Sequence, residues 1–286
     1  MLPVATKIEL TACFIHCHNK ACFDTVIFYL ISVIATNTAR FNTFWNSTPH
    51  GASWPTRTNI YYEWLLTHGT TSVSCGYKFV ENDKRGHAED YLIEHVSPLI
   101  DNLHANGILP SFNTTASAMS SVTTSAMAIT QDKTAKIKMY TNYSPCSTCS
   151  DKLINFISLY KIQNIRVEFE IIVASPYKCM RASCFYCSKP NNLRNLKIYA
   201  DNAKGSRKLM ATPGVILRGF VLADWLYLAS KLCIAMSLYN YDVKIQGGLG
   251  VPDHFDPQGC VRRDSRHEAD NATLLDFTAI QNLPFI

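Results

Sequence analysis

Two short stretches decide how this chain is read: Gly86-His87-Ala88-Glu89-Asp90 and, further on, Ser144-Pro145-Cys146-Ser147-Thr148-Cys149. Two cysteines three apart, opening a helix, place two thiolates on one side of a single cation. The helix N-terminus and the cation both lower the thiol pKa, so the ligands are held deprotonated. His87 adds a neutral third ligand. Three protein ligands leave one tetrahedral position open to water, as a catalytic zinc requires. Glu89, two residues past the histidine, is placed to move protons at that water without occupying the metal. A lone Cys-x-x-Cys or His-x-Glu would carry little weight; ligands, base, order and proline in agreement carry far more. The competing reading is a structural zinc, or a chance disulfide pair beside a surface His and Glu.

Around these stretches strand and helix patterns alternate. Residues 59–66 are rich in aromatic side chains and read as a strand. His68-Gly69-Thr70 turns it into a second strand over 72–80, a hairpin. From His87 to about Leu103 apolar residues recur at helical spacing, with Leu92, Val96 and Ile100 on the buried side and Pro98 expected to kink the helix. Strands are then predicted over 135–141, 166–174 and 214–222, and helices over 146–160, 192–202 and 224–237. Such alternation after a hairpin predicts an α/β fold, its mixed and partly parallel sheet covered by helices on both faces. Residues 40–45 predict a short lead-in helix anchored by Phe41, Phe44 and Trp45. Residues 106–134 are loaded with Ser, Thr, Ala and Asn and read as an insertion. Beyond Gln246 the Gly, Pro and Asp residues predict a loose tail. The chain divides into an upstream region (1–39), a main domain (40–245) and a C-terminal extension (246–286).

His87-x-Glu89 followed by Pro145-Cys146-x-x-Cys149 resembles the signature of zinc-dependent nucleobase deaminases. Thr141-Asn142-Tyr143-Ser144-Pro145-Cys146 is similar to the S-W-S-P-C stretch of the AID/APOBEC family of polynucleotide cytidine deaminases, with Tyr143 where Trp is usual. The resemblance covers residues 58–238 in element order and is specific at the two motifs alone; the family's gap between them is shorter than here. It implies a cytidine deaminase-like three-layer α/β/α sandwich around a mixed sheet of about five strands. It further implies Zn2+ on His87, Cys146 and Cys149, with Glu89 as the catalytic proton shuttle. For substrate it implies Asn82 at the target sugar, the Ala88 N–H and Ser144 carbonyl on the pyrimidine edge, Tyr143 edge-on against the ring, and Tyr177 closing over the base. From the residues alone, Asn82 also reads as a turn residue before Asp83, and Tyr177 as a structural tyrosine. Pro176 and Lys178 depart from the family's pattern in that loop.

The activity implied is that of a hydrolase: deamination of cytosine to uracil in single-stranded DNA or RNA, since a duplex hides C4 in the stack. A role in innate defence goes with the secreted AID/APOBEC-like branch. Two alternatives stand beside it. A deaminase of free cytidine or deoxycytidylate is disfavoured by the Ser-Pro-Cys context, Tyr177 and a basic stretch. A catalytically silent, zinc-stabilised nucleic-acid-binding module is disfavoured by the retained Glu89.

With 286 residues, 47% hydrophobic and 17% charged, the chain can bury a substantial core and is not of disordered composition. Its formal net charge of +5 is mild, so distribution matters more than the total. Lys178, Arg181, Lys189, Arg194, Lys197, Lys204, Arg207, Lys208 and Arg218 lie in a stretch with one acid, Asp201. Single-stranded nucleic acid is the natural partner for such a stretch, and a solvated helix face is the alternative.

Eleven cysteines raise the question of compartment. The apolar run over 25–35 is too short to span a bilayer but suits the core of a signal peptide, with small residues following to Ala39; a buried strand or helix is the alternative. Cleavage near Ala39 would leave, besides the metal pair, Cys75, Cys179, Cys184, Cys187, Cys233 and Cys260, an even number that suits disulfides. Sequons at Asn46, Asn113, Asn142 and Asn271 point the same way, Asn142 being expected bare because it adjoins the metal loop. Cys184 and Cys187 with Cys179 offer a second metal set as the alternative to disulfides, and His267-Glu268 reads as surface. The expectation is a secreted protein without stable membrane association. Mass spectrometry of the protein from expressing cells should find a chain starting near Arg40, glycosylated at Asn46 and Asn113. A chain retaining residues 1–39, with six free thiols, would return it to the cytosol or nucleus.

Overall fold

In the computed structural model the described residues are 20–46, 58–68, 71–109, 133–179, 182, 196–239, 241–242 and 265–283, with side chains described from residue 31. Five strands form one sheet: β1 (Asn59–His68), β2 (Thr71–Glu81), β3 (Lys133–Tyr143), β4 (Val167–Ser175) and β5 (Val215–Gly219), in the order β2-β1-β3-β4-β5. The expected hairpin pairs β1 with β2, and β1 also runs antiparallel to β3. β3–β4 and β4–β5 are parallel, a pairing that needs crossovers. Helices α3 (Ser147–Ile162) and α4 (Leu196–Ala211) lie in those crossovers, and α2 (Ala88–Ala105) follows the hairpin. Helices α1 (Lys20–Trp45), α5 (Leu222–Leu232) and α6 (Arg266–Gln281) complete an α/β fold around a mixed sheet.

Alternation along the strands divides the core in two. Ile60, Tyr62, Ile137, Met139, Phe169 and Ile171 face one way, into a cluster with Leu92, Val96 and Ile100 of α2 and Leu153 of α3. Their neighbours Tyr61, Tyr140, Ile172 and Ala174 face the other way, against Phe41 and Phe44 of α1, Trp225 of α5 and Ala269 of α6. α2 keeps the expected buried stripe and runs through Pro98 to Ala105.

Four elements depart from the sequence reading. α1 is far longer than a lead-in over 40–45; it runs through the expected cleavage point at Ala39. Among its described side chains only Phe41, Phe44 and Trp45 reach the core, whereas Ile31 and Ile34 stay exposed. No helix among the described residues is long and apolar enough to cross a membrane. α4 starts at Leu196 and continues to Ala211, past the expected end at Asn202, because burial of Asn202, Gly205 and Ser206 outweighs their modest helix propensity. α5 stops at Leu232, where Cys233 turns left-handed at φ 59°, short of the expected 237. Residues 110–132, most of the expected insertion, lie outside the described residues.

The fourth is the tail, which over its last part is the helix α6. Its inward face mixes Ala269, Phe277 and Ile280 with Arg266, Asp270, Thr273 and Asp276. Arg266, fully buried, donates from Nε and Nη2 to Asp270 at 2.9 and 2.6 Å, from Nη1 to the Trp45 carbonyl at 3.1 Å and from Nη2 to the Ala174 carbonyl at 3.0 Å. Asp270 also accepts from Trp225 Nε1 at 2.8 Å and from the Tyr241 hydroxyl at 2.9 Å. Burial pushes the Asp270 carboxyl up while Arg266 and these donors pull it back. Two buried charges cost several kcal/mol to desolvate, and this geometry offsets the cost only while every partner is present. Arg266→Ala should therefore destabilise the fold by about 3–5 kcal/mol in denaturant unfolding. Removing Arg266 and Asp270 together, for apolar residues of similar volume, should cost clearly less than the single change.

Candidate metal centre

The metal-binding stretches fold as two helix starts facing each other. His87 is the N-cap of α2, in extended conformation at φ −78° and ψ 156°. Its N–H donates to Asp90 Oδ2 at 3.2 Å, and Asp90 Oδ1 accepts from Lys152 Nζ of α3 at 2.6 Å, which joins the two helices. Asp83 orders the approach to the histidine, accepting from the Tyr91 hydroxyl at 2.5 Å and the Arg85 N–H at 2.8 Å. Those donors, Tyr91 foremost, hold its carboxyl well below the usual range. Cys146 is the N-cap of α3, and Cys149 sits in its first turn.

His87 Nδ1 lies 3.2 Å from Cys149 Sγ and 3.8 Å from Cys146 Sγ, and the ligand atoms of all three residues fall within 4.8 Å of one another. Tetrahedral zinc, at about 2.3 Å from sulfur and about 2.0 Å from nitrogen, sets its ligands roughly 3.5–3.8 Å apart. His87, Cys146 and Cys149 thus form a group that can hold a metal ion. Two positive helix ends converge on the thiols. The Cys149 thiol and His87 beside it hold the Cys146 thiol low, while Cys146 and burial push Cys149 up. A divalent cation would replace the thiol protons.

Glu89 completes the arrangement. It is 3% exposed, close enough to interact with Cys149, Cys146 and His87, and burial raises its pKa. Its Oε2 is buried without a hydrogen-bond partner among the described residues, a costly state for a carboxylate oxygen that a polar species at the ligands would relieve. The site therefore fits a metal carrying an exchangeable ligand.

Ser144 ties the strand ends together. Its N–H donates to the Ser175 carbonyl at 3.0 Å, and its Oγ accepts from the Tyr177 N–H at 2.8 Å. Tyr143, buried, meets half-buried Tyr177 edge to face, with ring centroids 6.1 Å apart and planes at 66°. The Lys178 ammonium stands 5.3 Å from the Tyr177 ring centre. Ala88 is buried in the first turn of α2. Asn82 is engaged with Thr58, accepting from its N–H at 2.5 Å and donating its own N–H to the Thr58 carbonyl at 3.1 Å. Asn142 is buried, accepting from the Asn59 N–H at 2.8 Å, so the sequon there is closed off in the folded chain.

Sequence reasoning missed Asn202 and Gly205 of α4. Asn202 is buried against the metal helix, accepting from the Ser147 N–H at 2.9 Å. A Cβ on Gly205 would lie 2.8 Å from Ser147 Cα and 3.0 Å from Ser150 Oγ, so only glycine permits this approach. Neither has a local signal, since Asn and Gly within a helix read only as poor helix formers.

The basic stretch is not one patch. Arg218 is taken up by Asp224 at 2.5 Å and Glu170 at 2.9 Å, and Lys208 pairs with Asp151 at 2.8 Å. Lys197 and Lys204 are exposed on α4, while Arg181, Lys189 and Arg194 lie outside the described residues. No disulfide joins Cys75, Cys179 and Cys233 to one another; Cys184, Cys187 and Cys260 lie outside the described residues. His267 is exposed.

The chain matches no protein-family model and no curated protein. Elemental analysis of the purified chain should find about one divalent metal per chain, removable by a strong chelator. His87→Ala and Cys149→Ala should each abolish that stoichiometry, while Cys75→Ala, outside the cluster, should keep it.

Proposed function

We propose that the chain is a zinc-dependent cytidine deaminase of AID/APOBEC-like type, hydrolysing cytosine to uracil in single-stranded polynucleotide. The observation that carries the reading is the buried Glu89 carboxylate, one oxygen unpartnered, set beside a His/Cys/Cys group. Two thiolates and an imidazole in tetrahedral spacing suit zinc over harder cations. When bound, zinc supplies a nucleophilic water at neutral pH. Glu89 is the one carboxylate placed to take a proton there and hand it to N3 of the ring, then to the departing ammonia. Water adds at C4, the C4–N bond breaks, and the products are uracil and ammonia.

The strand ends serve the base. The Tyr143 and Tyr177 rings meet edge to face with planes at 66°, and the Ser144 carbonyl and Ala88 N–H are the groups we assign to the polar edge of the base. Lys178 beside Tyr177, with exposed Lys197 and Lys204 on α4, supports a phosphate backbone over a free nucleoside. Among the described side chains of α1, the core anchors Phe41, Phe44 and Trp45 lie beyond Ala39, which supports a mature, secreted chain starting near Arg40.

Glu89→Gln is the decisive variant, assayed beside the native chain on single-stranded DNA, RNA and free cytidine. It should keep its metal and lose about 10²–10⁴-fold in turnover, the range general acid–base catalysis supplies. Substantial turnover by the variant rejects the mechanism. Native turnover of free cytidine alone would assign a nucleoside deaminase, and strand binding without turnover a silent binding module.

A further inference from the structure

We infer that Asn202 is a positioning residue that locks the aromatic loop after β4 to the first turn of the metal helix α3. The inference rests on the reading of Tyr177 as a base-stacking residue of the proposed deaminase. Helix α3 begins with a need: its first N–H groups have no partner within the helix. An N-cap side chain usually meets part of that need, but Cys146 makes no side-chain cap bond, and its sulfur belongs to the metal group. Asn202, reaching in from α4, accepts from the Ser147 N–H at 2.9 Å instead.

The other half of the same amide faces the opposite way. Asn202 Nδ2 donates to the Tyr177 carbonyl at 3.2 Å and to the Lys178 carbonyl at 3.4 Å. One planar group, 3% exposed, thus satisfies a donor on the metal helix and two acceptors in the aromatic loop. The flipped amide would set oxygen against two carbonyls and nitrogen against an N–H, so only one orientation fits. The loop needs holding: Lys178 has φ +40°, in the left-handed region that a non-glycine residue keeps only when its surroundings impose it. Ser144 Oγ fixes the Tyr177 N–H, and Asn202 fixes the two carbonyls before and after the Lys178 Cα. Gly205, three residues on, admits the close helix approach that brings Asn202 within reach. The ring of Tyr177 is therefore indexed to the helix carrying Cys146 and Cys149.

Asn202→Asp separates the two duties in the full-length chain, because aspartate keeps the acceptor and loses both donors. The Asp variant sets an oxygen against those two carbonyls, so its thermal midpoint should fall, but its metal content should match the native chain's. Amide hydrogen exchange should speed up selectively at Tyr177, Lys178 and Cys179, and KM for a single-stranded substrate should rise roughly tenfold, with a smaller change in kcat, as expected for buried hydrogen bonds lost at a binding loop. Asn202→Leu, which removes both duties, should in addition lower the metal content. An Asp variant with native exchange across that loop and native KM overturns the inference, as does one whose metal content falls as far as the Leu variant's. The exchange and metal measurements need no turnover. Selective loosening in a native chain without deaminase activity would reject the proposed reaction and uphold the positioning role; an active native chain with an indistinguishable Asp variant would do the reverse.

Discussion

The unpartnered N–H groups at the starts of α2 and α3 are the constraint around which the rest of the molecule is arranged. A helix N-terminus exposes donors and a partial positive charge, and it can be buried only against acceptors or anions. Here two such ends converge, at His87 and Cys146. The acceptors supplied are the Asp90 carboxylate and the Asn202 amide. That demand explains why the site lies where it does. β3 and β4 run parallel, so their carboxyl ends lie side by side, and the loop leaving β3 enters α3 directly. An open α/β sheet presents its ligand-binding crevice outside those strand ends.

The two faces of the sheet meet this constraint differently. On the α2–α4 side the packing is apolar, from Leu92 and Val96 through Leu153 to Leu209, and it sets the distance between the helix starts and the sheet. On the other side a buried cation does the equivalent work. Arg266 donates to the Ala174 carbonyl, and Thr273 Oγ1 donates to the same oxygen at 3.3 Å. The next carbonyl, that of Ser175, accepts from the Ser144 N–H. The end of β4 is thus gripped from α6 on one side and stitched to the metal loop on the other. A helix with no side chain in the metal group still bears on where Tyr177 stands.

How much of this was legible in the sequence follows from which face each element buries. The β1–β2 hairpin, α2 and the helix after Cys146 were readable because their inward residues are apolar at the period of the element: Leu92, Val96 and Ile100 on α2, Leu153 and Ile157 on α3. The metal group was readable because its three residue types have few other reasons to occur in that order. α6 was not readable, since it turns Arg266, Asp270, Thr273 and Asp276 inward, and a hydropathy pattern takes these for a solvated face. α4 hid for the same reason, burying Asn202, Gly205 and Ser206 where a helix usually buries Leu or Ile. Polar interiors are specified by partners distant in sequence, such as Ala174 for Arg266 or Tyr177 for Asn202, and no local window contains both.

Charge is divided by the same logic. Arg218 ends the basic stretch in sequence, but strand alternation sends Leu217 to the α2–α4 core and Arg218 to the opposite face. There Glu170, itself paired with Lys136 at 2.9 Å, and Asp224 of α5 absorb its charge. Glu63, fully buried on β1 and facing the same way, accepts from the Tyr61 hydroxyl at 2.9 Å and the Tyr227 hydroxyl at 2.5 Å, and pairs with Lys231 at 3.2 Å. These ions are internal structure, and their desolvation is offset by one another. Within the described part of that stretch, Lys178 stands against the Tyr177 ring, and Lys197 and Lys204 are exposed on the helix that carries Asn202. The proposed base-stacking ring, the Lys178 carbonyl and the exposed lysines of α4 are therefore linked through Asn202. On the proposed reading, strand binding and the placing of that ring are coupled through α4 rather than through the net charge of the chain.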